Sequence, residues 1–193
     1  MARPPQFERD AVLHKAMDAF WAHGYAGTGV ADLVKVTGLK PGSLYGAFQS
    51  KEALFLQALE LYTQQSLARL DAQLGSAASP LHGVRAYFHA LARDVAGADA
   101  ARGCLLVNTV LEIGRQDEKM REHVNAHLAR IEARLRTALQ AARAQGELSA
   151  DKDPTALAAL LMTGIWGLRV LAGTAPGQAR AHMVVEQLLE ALD

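Results

Sequence analysis

The sequence predicts an all-α protein of about nine helices, arranged around one short helix-turn-helix. Three observations lead there. Half of the 193 residues are hydrophobic but only 6% are aromatic, and the apolar set is mostly alanine and leucine. These are strong helix formers, and the β-branched runs that strands favour are scarce. Apolar residues recur at helical spacing along nearly the whole chain. Glycine, proline and capping side chains then cut that pattern into segments.

Phe7 to His23 is the first helix, with Leu13, Ala16, Met17 and Phe20 on one stripe. Gly24 ends it, and Tyr25 packs the following turn with a hydroxyl free to reach a phosphate or a backbone group. Thr28 is read as the N-cap of the next helix, whose apolar face is Val30, Leu33 and Val34. Thr37-Gly38 stops that helix, and Pro41 restarts the chain at the first position of another. This helix, roughly Pro41 to Ala47, is too short to hold itself together alone. Short helix, glycine-containing turn, short helix with small and polar residues outward is the sequence form of a helix-turn-helix, whose second helix can enter the major groove. The plainer alternative is a pair of short helices used only for packing.

Ser50 caps a long helix beginning at Lys51. Phe55, Leu59 and Tyr62 form one seam on it and Leu54, Ala58 and Leu61 another, so it can pack at both ends and link two halves. Gly75 to Pro80 is the clearest break. A helix from Pro80 to about Val95 follows, with Val84, Tyr87, Phe88 and Leu91 inward, then a loop of small residues from Ala96 to Gly103. Cys104 to about Ile113 reads as a short apolar helix interrupted by Asn108, Thr109 and Glu112. Asp117 to about Gln145 is amphipathic, with Arg130, Arg134, Arg136 and Arg143 on a solvated face. Asp153-Pro154 opens an apolar helix to about Gly173, and the last helix runs from about Gly177 to Leu192. The Pro154 helix approaches membrane-spanning length, but it contains Arg169 and is rich in alanine and glycine, so it is read as a buried helix, with no membrane partner.

Formal net charge is zero, so nothing in the bulk composition argues for nucleic acid; such binding needs only a local basic face. The single cysteine, Cys104, excludes an intramolecular disulfide and fits a reducing compartment, and MARPPQFERD has no apolar signal-peptide core.

Phe20, Gly24-Tyr25, Thr28, Val30, Leu33, Gly38-Leu39, Gly42-Ser43-Leu44-Tyr45, Phe48 and Ser50 through Phe55 stand in an order and spacing that resemble the tetracycline-repressor (TetR/AcrR) family of bacterial transcriptional regulators. The match covers about the first third of the chain, and the helix order beyond it is similar too. The resemblance implies a DNA-binding domain at 6–66, with a ligand-binding and dimerising bundle at 67–193. It implies a cytoplasmic homodimeric repressor that binds a pseudo-palindromic double-stranded operator and is released by a small-molecule effector. Lys40, Pro41, Gly42, Ser43, Tyr45 and Gly46 would then form the recognition helix. Lys40 would meet a phosphate or guanine, Ser43 a base and Tyr45 a phosphate, with the two glycines allowing close approach. Thr28 and Lys51 lie at helix N-termini that favour phosphate. Where relatives often carry a larger residue, this chain has Gly46, which reduces direct base readout.

The expected effector pocket draws on Phe88, Leu91, Cys104, Asn108, Leu111, Glu112, His127, Met162, Trp166 and Arg169, an apolar wall with a few polar groups. The expected dimer interface draws on Leu160, Ile165, Leu168, Val184, Val185, Leu188 and Leu192 of the last two helices. Cys104, near a helix start and Arg102, supports an alternative in which its oxidation or alkylation is the signal; the plainer reading is a small buried hydrophobe. His123 and His127 have a metal-binding spacing beside Glu122, but no third ligand is evident, so neither metal nor cofactor is expected. No nucleophile elbow, phosphate loop or carboxylate pair suggests an enzyme. A helical binding or scaffold protein is the alternative outside DNA binding.

Overall fold

The computed structural model describes residues 6–97, 100–114, 117–175 and 177–193. Among them are nine α-helices and no strand. Helices α1 (Gln6–His23), α2 (Val30–Thr37) and α3 (Pro41–Phe48) wrap the first half of α4 (Lys51–Ser76). Phe20 of α1 meets Phe55 of α4 edge to face, ring centroids 4.8 Å apart. Around this pair Ala16, Met17, Leu33, Leu44, Phe48, Leu54 and Ala58 are all buried. Tertiary burial is what holds α2 and α3, eight residues each, since helices of that length are marginal in water.

The caps explain the boundaries. Gly38, at φ 73°, ends α2 and returns its N–H to the Val34 carbonyl. Pro41 occupies the first position of α3, and Ser50 accepts the Ala53 N–H to start α4. Between α3 and α4, Gln49 stands at φ 70° in a γ-turn closed by the Ser50 N–H on the Phe48 carbonyl. One expected cap differs. Thr28 does not cap α2; it is fully buried, and its hydroxyl donates back to the Gly24 carbonyl at 2.7 Å. Gly29 stands at the cap position, and its N–H is accepted by the Asp32 carboxylate at 2.8 Å.

The second half of α4 enters a bundle of α5 (Pro80–Val95), α6 (Leu105–Glu112), α7 (Glu118–Ala144), α8 (Pro154–Ala172) and α9 (Gln178–Leu189). Short 3-10 turns lie at Ala100–Arg102 and Glu190–Leu192. The first stands in the stretch read as loop, of which residues 98–99 lie outside the described residues. Ser79, Asp117 and Asp153 cap α5, α7 and α8 with their side chains. Helices α4 and α5 close tightly at Gly83, where a Cβ would stand 3.0 Å from the Leu74 Cα. The expected domain boundary at 66/67 falls inside the unbroken α4, so one rigid rod serves both halves.

Helix α8 is less buried than its sequence suggests. Leu157, Ala158, Leu161, Met162, Ile165, Leu168 and Ala172 face the core. Its most apolar window has a mean hydropathy of 1.6, yet only 39% of that window is buried. Leu160, Trp166 and Val170 form an outward apolar face on it.

Candidate nucleic-acid interface and ligand cavity

The outer surface of the helix-turn-helix is built from small and polar groups. Lys40, Pro41, Gly42, Ser43 and Gly46 are exposed, while Leu44 and Phe48 anchor α3 in the core. A Cβ placed on Gly42 or Gly46 would meet nothing within 4 Å, so α3 presents nearly bare backbone. Tyr45 is half-buried. Lys51, at the first turn of α4, lays its ammonium 4.3 Å from the centre of the Tyr25 ring. The Tyr25 phenol is held above its ordinary pKa by burial and by the charges of Glu52 and Asp117, so it stays a neutral donor. Buried Thr28 offers no side-chain atom to this surface.

A cavity of about 310 Å³ opens inside the bundle. Tyr62, Ser66, Arg69, Ala72 and Gln73 of α4 line it, with Tyr87, Ala90, Leu91 and Asp94 of α5. Cys104 and Leu106 at the start of α6, Ile131 of α7, and Ile165 and Arg169 of α8 complete the wall. Burial raises the pKa of both phenols, so Tyr62 and Tyr87 remain protonated hydrogen-bond donors. The Tyr62 phenol and the Cys104 thiol share the cavity wall. Two arginines against one aspartate give this mostly apolar wall a cationic corner.

Of the residues expected here, Leu91, Cys104 and Arg169 line the cavity. Phe88 and Met162 are buried in the core and are not part of its wall. Asn108 instead donates to the Arg102 carbonyl at 2.9 Å. Leu111 and Trp166 face outward, 69% and 43% exposed. His127 packs against α4, its Nδ1 3.5 Å from Glu60 Oε2. Its pKa is lowered by burial, against the pull of Glu60.

Glu112 has a different place altogether. Its carboxylate accepts the backbone N–H groups of Tyr25 at 3.0 Å and Ala26 at 2.6 Å, in the turn between α1 and α2. Gly24 makes room: it stands at φ +75°, and a Cβ there would lie 2.6 Å from Glu112 Oε2. At the other end of α6, Arg102 covers Trp21 at 4.2 Å and bonds Asp18, while the Trp21 indole donates to the Gly103 carbonyl. Arg102 is thus turned to α1 and not to the Cys104 thiol. The segment 102–112 joins the cavity wall to the N-terminal helices at both its ends, to α1 through Arg102 and to the α1–α2 turn through Glu112.

Residues 12–58 match the family described as bacterial regulatory proteins, tetR family, and residues 80–188 match the Tetracyclin repressor-like, C-terminal domain. The HTH-type transcriptional repressor ComR of Escherichia coli (strain K12) is 35% identical over 171 residues, 88% of this chain and 81% of its own. The chain belongs to the TetR family. A solved relative is a cysteine-substituted form of the TetR family transcriptional regulator CifR, complexed with 26-bp double-strand operator DNA. It superposes with a TM-score of 0.87 at 34% identity, covering 100% of both chains. The regulator YezE of Bacillus subtilis (strain 168), described as uncharacterized, is 28% identical over 100% of both chains.

In this TetR-family chain the residues expected at a dimer interface divide. Ile165, Leu168, Val185 and Leu192 are buried within the chain, and Leu188 packs on Gly164. Leu160 and Val184 lie outward, and the structure adds Trp166, Val170 and Met183 to them. Sequence reasoning also missed Tyr62, Ser66 and Arg69, because α4 reads as a connector and not as a cavity wall.

Proposed function

We propose that this DNA-binding transcriptional regulator is a repressor that binds a pseudo-palindromic operator as a homodimer and is released by a small, partly apolar effector. The observation that carries the reading is the cavity: α4 and the 102–112 segment both line it, α4 packs on α1 and α3, and 102–112 is bonded to α1 and the α1–α2 turn. Its size lies near the lower end of ligand pockets, about 300–1,000 Å³. The phenols of Tyr62 and Tyr87 and the guanidinium of Arg169 suit an effector with an acceptor or anionic group on an apolar body. The effector prefers an arrangement of α4 and α6 in which the recognition helices no longer fit successive major grooves, roughly 34 Å apart. The division at 6–66 and 67–193 is then functional, with α4 shared between the parts. The protein works by binding, in the cytoplasm where its operator is.

Fluorescence anisotropy with a palindromic fragment from upstream of the gene tests DNA binding, and affinity is expected to fall with rising salt. Ala90→Trp tests the cavity without knowledge of the effector. Filling that space is expected to cut operator affinity about tenfold at unchanged helicity; unchanged affinity removes the cavity from control. A second reading is that an electrophile entering the cavity adds to the Cys104 sulfur, with loss of the thiol proton. Its support is that this thiol lines the same space. A response to aldehydes that survives Cys104→Ser excludes it.

A further inference from the structure

Helix α5 has two faces. Tyr87, Ala90, Leu91 and Asp94 look into the cavity. His89 stands two residues from both Tyr87 and Leu91, about 200° round the helix from each, and so on the opposite side. There it meets α9. The His89 and His182 rings stack with centroids 6.5 Å apart, and His89 Nδ1 lies 3.4 Å from Glu186 Oε1. His182 and Glu186 are at i, i+4, on one face of α9. One ligand atom from each of the three residues lies within 4.8 Å of the others.

We infer that His89, His182 and Glu186 form a binding site for a divalent transition-metal ion of the zinc class, which clamps α5 to α9. Two imidazoles and one carboxylate are a donor set for such ions, with a fourth position left to water. Metal–ligand bonds of about 2.0–2.1 Å in tetrahedral geometry put neighbouring donor atoms about 3.3 Å apart. The His89–Glu186 pair already has that separation, and a small side-chain rotation brings in His182. The other histidine pair, His123 and His127, is not free in the same way, because His127 is committed to Glu60 and Arg130. Both imidazoles of the proposed site are half-buried, so little water need be stripped to order them. The site lies on a flank of α9 away from Leu188, which packs on α8, so it does not compete with the outward apolar face of α8 and α9. An ordinary histidine–glutamate ion pair is the competing account of the geometry, and it predicts no metal uptake.

Isothermal titration of tag-free, chelator-treated protein with zinc(II) decides between them. One ion per chain is expected, with a rise in Tm that is absent in the variants. His182→Ala should weaken binding at least about tenfold and Glu186→Gln by less, both at wild-type helicity and operator affinity. Cys104→Ser and His123→Ala should bind as the wild type does. Cobalt(II) in the same site should give the visible absorption of a low-coordinate centre. No uptake at about 100 µM zinc(II) overturns the proposal. So does uptake that survives His182→Ala, or uptake lost in Cys104→Ser. Operator binding measured alongside keeps the outcome independent of the regulatory reading.

Discussion

His127 is a histidine that folding takes out of water. Only 5% of it is exposed, and its Nε2 finds no partner among the described residues. Burial disfavours the charged form, and Arg130 and His123 add to that; Glu60 opposes them and does not prevail. The folded pKa therefore lies below the ordinary 6.5. Between those two values the unfolded chain holds more protons, so stability rises with pH there and is lost as pH falls below 6.5. Glu60 acts in another window. Burial pulls its pKa up, but hydrogen bonds from Gln64 and Arg130 and the latter's charge outweigh that and hold it low. Its contribution is present above the ordinary carboxylate range and disappears only as pH falls through its depressed folded value. Urea unfolding at pH 7.0 and 5.5 should thus show a loss in the wild type that is smaller in His127→Phe. An equal loss in both proteins assigns the effect to the other histidines.

At the scale of the element, α3 poses a choice between its own stability and its task. Gly42 and Gly46 both have helical backbone and open space around them. Alanine at either position should stabilise the helix by about 1 kcal/mol. If α3 lies close in the major groove, the added methyl groups meet DNA, and Gly42→Ala should raise Tm while weakening operator binding several-fold. Tighter or unchanged binding would show that α3 does not approach that closely. Much of this element was legible beforehand because its signals are local. Pro41 at the first turn, Gly38 in the left-handed region and Ser50 at the start of α4 each act on neighbours within four residues. Thr28 misled for the same reason: a hydroxyl between two helices can cap the second or tie back to the first, and only tertiary burial selects the latter. Helix α8 exposed the other limit. It is apolar on every side, so periodicity assigns no inward face, and Trp166 fits a pocket, a core or an interface equally well. Glu112 gave no sequence signal for its bond to a turn more than 80 residues away.

For the whole molecule, we propose that the outward face of α8 and α9 sets how two recognition helices are spaced. Leu160, Trp166 and Val170 on α8 and Met183 and Val184 on α9 are 36–60% exposed, a concentration of large apolar groups on one side. Apposing this face with that of a second copy about a two-fold axis gives a four-helix bundle, the isologous contact expected of a homodimer. Val184→Arg separates assembly from folding, because the side chain is already at the surface and the arginine costs the lone chain little. In the dimer the two-fold brings both arginines into a desolvated contact, where unpaired charge is strongly unfavourable. The expected result is a halved mass by light scattering at micromolar concentration, with helicity retained. Operator affinity should drop by about a hundredfold or more, since each half-site is then bound without the effective concentration that the dimer supplies. Binding to a single half-site should be little changed. Val185→Arg is the contrasting variant: Val185 is fully buried inside the chain, so arginine there should unfold the bundle and not merely divide it. A Val184→Arg protein that remains dimeric would move the interface elsewhere and leave the apolar face to another partner.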